Sequence, residues 1–438
     1  MISPIVVFLA LLLSTEVAPN TIQIDCDAVT TDLRNSTSDD LCVIVLNQQK
    51  WNISSLAQSS VMLPKFDKFN LVGVNGSFPS VHFFSTKTRL EKLLIYDSVM
   101  HEVQFPTILE SLLITRSHTR QLIIENTDKH QYALHTLVLV DNELSKLPRI
   151  DQLIHLKSFS IANNLLEKVN LTEFGKLYEL ESLDVSSNRI REIVIGTINL
   201  LSLHKLDLSQ NMLKSLPQNL GQLGSLETLV LHHNKLEYIE MSHLNGLTKL
   251  KILDLRFNNL LIGSLVPVLL PALEIVRLES CRLQQLDLHS IETPKLKKLH
   301  IEDNKLEYVE AFFEGVYQGA GLELYGDRNP WNCNWLQDKH PRVKFVVQQD
   351  RQTCRRFVKN VCCAGSDYAT ERKADRRLQV VQEQNRMIYK VLEEQQDKLR
   401  IKGGNCEMMG NRLSKIESTL GEIMSLVKMM AIKIDSIK

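Results

Sequence analysis

The sequence predicts an α/β fold, a solenoid of about 11 to 12 turns with disulfide-bonded caps, followed by an α-helical coiled coil. Three observations support this prediction. A leucine pattern returns every 22 to 24 residues, cysteines lie on both sides of the repeated region, and a heptad pattern runs through residues 374–437.

The repeated phrase is L-x-x-L-x-L-x-x-N-x-L, which occurs at residues 134–144, 203–213, 226–236 and 296–306. Its asparagine slot is occupied by Asn142, Asn164, Asn188, Asn211, Asn234, Asn258, Cys281 and Asn304. This phrase and period are the signature of a leucine-rich repeat solenoid. Because one repeat cannot bury its own leucines, stacked turns must share a continuous core.

The asparagine slot is predicted to point inward, where its amide satisfies backbone groups of the bending loop. Cys281 occupies the same slot, which the repeat consensus allows as Asn or Cys. We therefore expect Cys281 to be a buried free thiol; the alternative is that it forms half of a disulfide.

Residues 1–19 resemble a secretory signal peptide, since an apolar run at residues 5–13 is too short to span a bilayer and small and polar residues follow it. No Lys or Arg precedes that run. Sequons for N-glycosylation agree with an extracellular route and lie at Asn35, Asn52, Asn75 and Asn170. We expect a secreted glycoprotein without a membrane span.

Residues 20–69 are predicted to form an N-terminal cysteine cap, since the first leucines of a solenoid need a cover. A bridge between Cys26 and Cys42 is the pairing we expect there. The solenoid is then assigned to residues 70–329, and its early, degenerate repeats carry Ser98 and Ser117 in the asparagine slot.

Residues 330–365 are predicted to close the other end. The sequence Asn-Pro-Trp-x-Cys-x-Trp at residues 329–335 resembles the C-terminal cysteine cap of extracellular leucine-rich repeat proteins. In such a cap the two tryptophans cover the last leucines, and Cys333 bonds to a later cysteine. The available partners are Cys354, Cys362 and Cys363.

Residues 366–438 are predicted to form a coiled coil, because apolar residues alternate steps of three and four. Asn385 falls at a core position, where a polar residue selects register and partner number. Gly403 and Gly404 cost roughly 2 kcal/mol inside one helix, so a helical hairpin with its turn at residues 402–406 is favoured slightly over a continuous rod. A long helix packed back on the solenoid is the remaining alternative.

The cysteine count predicts a link to another chain. Eight cysteines less the buried Cys281 leave seven, an odd number in a secreted chain. The neighbours Cys362 and Cys363 cannot comfortably bond each other, because an unstrained bridge needs Cα atoms farther apart. Heptad position nominates Cys406 as the interchain cysteine, and a covalent dimer is expected.

The order of modules resembles the mosquito leucine-rich repeat immune proteins: signal peptide, solenoid, cap with the pair Cys362–Cys363, and coiled coil. The resemblance runs over essentially the whole mature chain. It implies a haemolymph protein that forms a disulfide-linked complex with a related leucine-rich repeat coiled-coil chain. It also implies that this complex holds a complement-like thioester protein and directs it to pathogens. By this resemblance, Cys362 or Cys363 is the interchain cysteine.

A binding surface is expected on the concave face, which such solenoids use for recognition. Its C-terminal half gathers side chains able to contact a protein: His232, His233, Arg256, Phe257, Arg277 and His300. The alternative is a mixed, solvated surface without a partner.

No enzymatic motif or cofactor fingerprint occurs in the sequence. His232, Asp254 and His300 could be imagined as metal ligands, but they belong to different turns, and we expect no metal. The balance of 51 basic and 51 acidic residues gives no overall field for nucleic acid. The alternative function is that of an extracellular matrix or decoy-receptor protein that binds a growth factor or matrix protein.

Overall fold

The computed structural model describes residues 41–45, 68–72, 91–99, 102–103, 107–124, 132–196, 200–239, 241–260, 262–263, 268–284, 286, 291–309, 321–337, 343–346, 357–358 and 361–363. The predicted signal peptide, the coiled coil with Asn385 and Cys406, and the 402–406 turn lie outside these residues. So do Cys26, Cys354 and the sequons at Asn35, Asn52 and Asn75. The chain divides into two compact units, residues 1–331 with 335–363, and residues 332–334 with 364–438.

Within the described residues, a 14-stranded parallel sheet forms one side of the first unit. Its strands are β1 (Leu41–Val45), β2 (Lys68–Val72), β3 (Lys92–Tyr96), β5 (Ser111–Thr115), β7 (Thr136–Val138), β8 (Ser158–Ser160), β10 (Ser182–Asp184), β12 (Lys205–Asp207), β13 (Thr228–Val230), β15 (Ile252–Asp254), β18 (Ile275–Arg277), β20 (Lys298–His300), β21 (Leu322–Tyr325) and β22 (Val343–Val346). Spatial order follows chain order throughout, so each turn adds one strand to the sheet. This is the predicted solenoid, and the fold class is confirmed.

The far side of the turns consists of 3-10 turns and strands of two or three residues. The 3-10 turns span Leu171–Phe174, Leu220–Gln222 and Met241–Leu244. The short strands pair as β4 (Glu102–Val103) with β6 (Gln121–Leu122), β9 (Lys168–Asn170) with β11 (Glu192–Val194), β14 (Tyr238–Ile239) with β16 (Ile262–Gly263), and β17 (Val268–Leu269) with β19 (Ile291–Glu292). An antiparallel pair, β23 (Phe357–Val358) with β24 (Val361–Cys362), follows the sheet in sequence.

The core is a stack of leucines contributed by equivalent positions of neighbouring turns. Leu183, Leu206 and Leu229 lie in register on adjacent strands, and each is fully buried. Each such side chain stabilises the fold by roughly 1.5–3 kcal/mol through burial. The strand residues on either side of each leucine point away from the core, which leaves two outward positions per turn for function.

The asparagine slot joins each turn to its neighbours through hydrogen bonds. The Asn211 side chain donates from Nδ2 to the carbonyl oxygen of Val185 at 3.1 Å, and its Oδ1 accepts from the backbone N–H of Ile190 at 3.0 Å. Asn164, Asn188, Asn234, Asn258 and Asn304 repeat the contact to a carbonyl of the preceding turn. The predicted inward amide therefore links successive turns.

The residue just before the slot adopts a left-handed backbone conformation in turn after turn. These residues, which we call the rim column, are Asp141, Asn163, Ser187, Gln210, His233, Phe257, Ser280, Asp303 and Arg328, with φ from 51° to 57°. Positive φ suits Asn and Asp and is unfavourable for a bulky residue. The tight bend after each strand imposes this conformation whichever residue occupies it.

The sheet extends beyond the boundaries predicted for the solenoid. β1 lies inside the segment expected to be the N-terminal cap, and β22 lies inside the segment expected to be the C-terminal cap. A further parallel strand at each end continues the ladder of backbone hydrogen bonds, so the terminal turns share the architecture of the repeats. Nothing in the described part of the chain is a helix long and apolar enough to cross a bilayer.

The short helix α1 (Cys333–Gln337) follows the last repeat. Trp331 is buried, donates from Nε1 to the carbonyl oxygen of Gly326 at 2.7 Å, and stacks on Trp335 with ring centroids 5.2 Å apart. A Cβ on Gly326 would lie 2.8 Å from the Trp331 ring, so the absence of a side chain lets the indole sit flat against the backbone. Trp331 thus covers the end of the leucine stack.

Candidate functional site

The outward positions form two rows along the sheet, next to the rim column. The inner row is Asp184, Asp207, Val230, Asp254, Arg277 and His300, and the second row is Ser186, Ser209, His232, Arg256, Glu279 and Glu302. Successive turns place equivalent residues side by side, as the registers of Asp254 with Arg277 and of Arg277 with His300 show. A site on this face is therefore built from residues about 23 positions apart in sequence.

Asp254 is at the centre of an ion-pair cluster. It is 4% exposed, and its carboxylate accepts from Arg256 Nη2 at 2.7 Å and Nε at 2.9 Å. Arg277 Nη1 lies 3.7 Å from the same carboxylate. The hydrogen bond with Asp254 is the main cause of a raised pKa for Arg256. Arg256 is thus held in the ion pair with Asp254, and Arg277 is the cation more accessible to a binding partner.

An aromatic stack lies beside this cluster, on the rim column. The rings of His233 and Phe257 are nearly parallel, with centroids 4.3 Å apart, and His232 meets His233 edge-on at 5.2 Å. The Phe257 residue is 44% exposed and has a φ of 54°. A large apolar side chain is therefore held in a strained conformation at the surface, where every other rim residue is polar.

His232 lies between the stack and the ion pairs. Burial lowers its pKa, with Asp254 acting in the opposite direction and Arg256 in the same direction. Its Nδ1 atom is buried and has no hydrogen-bond partner among the described residues. The neutral imidazole is the favoured state, and it contributes apolar surface rather than charge.

At the C-terminal end of the rows, His300 meets two glutamates. Its Nδ1 lies 3.4 Å from a Glu302 carboxylate oxygen and 3.9 Å from a Glu279 carboxylate oxygen. The His300 ring stacks on Tyr325 at 4.1 Å, with 9° between the ring planes. Burial first, and then the Glu302 charge, raise the pKa of Glu279 to about 7.

Cys281 is buried and is a free cysteine. Its Sγ lies 3.1 Å from the carbonyl oxygen of Leu255, and burial raises the pKa of its thiol to about 12. Thiolate is the reactive form of cysteine, so this thiol is inert in the folded chain.

Cys333, Cys362 and Cys363 are each disulfide-bonded in the single chain described. This differs from the expectation that Cys362 or Cys363 would be left for another chain, because a sulfur already in a bond has none to offer a partner. Cys42 lies in β1, whereas Cys26 and Cys354 lie outside the described residues, so the Cys26–Cys42 bridge stays a prediction.

The sequon residue Asn170 caps the 3-10 turn at Leu171–Phe174, away from the concave rows. Its Oδ1 accepts from the backbone N–H of Thr172 at 3.2 Å and from the Thr172 hydroxyl at 2.8 Å. The residue is partly exposed. Asn170 lies in β9, outside the two outward rows.

The structure brings the six predicted binding residues together in two groups. In the first group Arg256 and Arg277 contact Asp254, and His232, His233 and Phe257 contact one another beside them. His300 belongs to the second group, with Glu279 and Glu302. The imagined ligand set of His232, Asp254 and His300 does not form, since no interaction joins His300 to the other two among the described contacts. Glu279 and Glu302 were not among the residues expected to bind, although the 23-residue spacing puts both of them in the second row, next to His300.

Comparison with known proteins supports the repeat assignment. Residues 200–260 match the family model described as leucine rich repeat. The flightless-1 homolog of Caenorhabditis elegans is 27% identical over 243 residues, which are 48% of this chain and 19% of that protein. Mouse podocan-like protein 1 is 28% identical over 186 residues, 41% of this chain and 33% of that protein. The matched regions thus span a third or less of these relatives.

Two solved structures share the fold. The crystal structure of the leucine-rich repeat domain of APL1B aligns with a TM-score of 0.54 at 20% identity, over 74% of this chain and 94% of that one. The APL1 leucine-rich repeat domain aligns with a TM-score of 0.52 at 19% identity, over 74% and 84% respectively. At these identities the likeness shows a leucine-rich repeat solenoid, a fold that mediates protein–protein binding.

Proposed function

We propose that this chain is a secreted, non-enzymatic adaptor of innate immunity. Its concave face recognises a protein, and it acts in a disulfide-linked complex with a related leucine-rich repeat coiled-coil chain. The recognised protein is a complement-like thioester protein, which the complex stabilises and directs to pathogen surfaces in the haemolymph. The module order described above supports this choice, and fold neighbours among mosquito immune proteins agree with it.

The observation that carries the recognition role is the exposed Phe257 ring on the rim column. Aromatic and arginine side chains dominate binding energy at protein interfaces. Phe257 stacked on His233 presents a rigid apolar surface, and the accessible Arg277 lies close to the same Asp254 cluster. A strained, exposed aromatic residue with a cation nearby is poorly explained by stability alone.

Substitution Phe257→Asn tests this role. Asparagine suits the left-handed conformation, so the variant is expected to fold while losing the ring. We expect its affinity for a purified complement-like thioester protein to fall about tenfold or more. Tyr178→Ala, which removes an exposed aromatic ring elsewhere, should leave the affinity unchanged. Equal affinities for wild type and Phe257→Asn would contradict recognition of the protein through the concave face.

The cysteine count supports the covalent complex. Eight cysteines less the free Cys281 leave seven, so the chain cannot pair all of them internally. Because Cys333, Cys362 and Cys363 are bonded within the chain, we favour Cys406 in the heptad seam as the interchain cysteine. The seam is where another helix would pack, which brings two such sulfurs together.

Electrophoresis with and without reductant tests the covalent complex. We expect the native protein to migrate as a dimer without reductant, and the Cys406→Ser variant to migrate as a single chain. Cys281→Ala is the matched control and should stay dimeric, because its thiol is buried. Mass spectrometry of the reduced dimer identifies the second chain. A native protein that is a monomer without reductant would refute the covalent complex.

The second candidate is a matrix or decoy-receptor protein that binds a growth factor or matrix protein. The similarity to mouse podocan and podocan-like protein 1 favours this class. It uses the same solenoid but gives no role to a coiled coil or to an unpaired cysteine. A native protein that is a monomer without reductant and that binds a growth factor or matrix protein would favour this second candidate.

A further inference from the structure

We propose that Glu279, His300 and Glu302 bind a divalent metal ion of the zinc class on the concave face. One nitrogen and two carboxylate oxygens from these side chains lie within 4.8 Å of one another. The residues come from two adjacent turns, with Glu279 and Glu302 at equivalent positions and His300 two residues before Glu302. The proposal does not depend on the identity of any protein partner.

The distances suit a tetrahedral zinc ion. Zinc binds nitrogen and carboxylate oxygen at about 2.0–2.2 Å, so two such ligands at a tetrahedral angle lie about 3.4 Å apart. His300 Nδ1 is 3.4 Å from the Glu302 oxygen and 3.9 Å from the Glu279 oxygen. Only a small side-chain adjustment is needed to bring all three atoms to a common centre.

The ligand geometry is preorganised by the surrounding turns. The His300 ring is held flat against Tyr325, which fixes the direction of Nδ1. Backbone hydrogen bonds from Leu278 N–H to the His300 carbonyl at 2.7 Å and from Ser280 N–H to the Glu302 carbonyl at 3.0 Å lock the two turns together. A ligand set on a rigid scaffold loses little entropy when the ion binds.

The apo arrangement leaves charge and hydrogen bonding unsatisfied. The side chains of Glu279 and Glu302 are only 18% and 20% exposed, and one oxygen of each is buried with no hydrogen-bond partner among the described residues. A buried carboxylate oxygen without a partner is costly. A protonated His300 can neutralise only one of the two negative charges. A divalent ion neutralises both charges and coordinates one oxygen of each carboxylate.

Three protein ligands leave a fourth position open on the outward face of the sheet. In zinc proteins such a position takes water or an atom from another molecule. An imidazole or carboxylate from a bound protein could occupy it. Cys281 is not a competing ligand, because it is buried in the core with its thiol protonated.

Metal titration of the full-length protein tests the site. After treatment with EDTA, the protein is titrated with ZnCl₂ in competition with a chromophoric chelator, and with CoCl₂ while visible absorption is recorded. We expect Glu302→Gln and His300→Gln to weaken zinc binding by at least about tenfold and to remove the cobalt absorption. His204→Gln, which removes an exposed imidazole outside the cluster, should leave both unchanged.

The variants also separate loss of the site from loss of the fold. Glu302→Gln keeps the shape of the side chain and removes one of two like charges, so its thermal unfolding in EDTA should match wild type or exceed it. Zinc should raise the midpoint of unfolding of wild type and of His204→Gln more than that of Glu302→Gln or His300→Gln. Absence of zinc binding to wild type at about 1 mM ZnCl₂, where even a site with a Kd of about 1 mM is half occupied, would overturn the proposal. So would identical affinities in all four proteins.

Discussion

Asp254 and Arg256, two residues apart at the end of one strand, form a two-pronged ion pair at 2.7 and 2.9 Å on the concave face. The carboxylate is almost fully buried, whereas the guanidinium is about one-third exposed. Arg256 therefore contributes mainly to the stability of the fold, through its ion pair with Asp254, and less to ligand binding. A charge reversal at Arg256 would change stability and binding together, so Arg277 and Phe257 are the better probes of recognition.

Substitution Arg256→Ala should lower the free energy of unfolding by about 1–3 kcal/mol, because it leaves a buried carboxylate with a weakened set of partners. Arg277→Ala should cost less than about 1 kcal/mol, since its contact with Asp254 is longer and more exposed. Urea denaturation of both variants measures the difference. Equal losses would mean that Arg256 and Arg277 share Asp254 evenly.

Substitution Asn211→Ala should destabilise the protein by roughly 2–4 kcal/mol. It leaves the Val185 carbonyl and the Ile190 N–H without the side-chain partner that bridges the turns. Lys214→Ala, at an exposed position of the same turn, should change stability by less than about 0.5 kcal/mol. Chemical denaturation of the two variants, with intact secondary structure checked by circular dichroism, compares them. An Asn211→Ala loss as small as the Lys214→Ala loss would contradict the bridging role.

The His232 imidazole should make stability depend on pH. Burial lowers the pKa of His232 in the folded state, so the unfolded chain binds the proton more readily. Stability from this residue is present above the ordinary histidine pKa of about 6.5 and is lost as the pH falls below it. Between pH 7.5 and 5, His232→Gln should therefore lose less stability than wild type.

The control for this pH prediction is His204→Gln, which removes an exposed imidazole just before β12. Its loss of stability between the two pH values should follow that of wild type. If His232→Gln and wild type gave the same slope, the buried imidazole would not be the titrating group. Urea unfolding at each pH supplies both slopes.

Substitution Gly326→Ala should destabilise the C-terminal end by about 1–3 kcal/mol through overpacking. The new methyl group would meet the Trp331 ring at 2.8 Å, and the ring is held by its own hydrogen bond to Gly326. Gly224→Ala is the matched control, because its nearest neighbour lies at an ordinary 3.5 Å. A red shift of tryptophan emission in Gly326→Ala, and not in Gly224→Ala, would report an exposed indole. Unchanged emission and stability would contradict the role of Trp331 as the cover of the leucine stack.

Cys281 should resist alkylation in the folded protein. Its burial and the raised pKa of its thiol, about 12, leave on the order of one thiolate in ten thousand at pH 8. Iodoacetamide followed by peptide mass spectrometry should label Cys281 only after urea is added. Rapid labelling without urea would mean that this turn opens readily.

The sequence alone determined the repeat, because the hydrophobic period and the asparagine slot allow only one way to stack the turns. It also placed Trp331 at the end of the core and Cys281 in the asparagine slot, since both follow from position in the pattern. The residues proposed for binding could be placed in the outward rows and the rim column for the same reason. These features depend on local spacing, which is visible along the chain.

Only the tertiary structure decided which outward side chains meet. The convergence of Glu279 and Glu302 on His300, and the commitment of Arg256 to Asp254, depend on strand register between turns and on side-chain rotamers. The left-handed rim column, which lifts Phe257 to the surface, comes from a bend that a bulky residue does not favour by itself. The bonded state of Cys362 and Cys363 likewise depends on how the chain returns in space, which cysteine spacing does not specify.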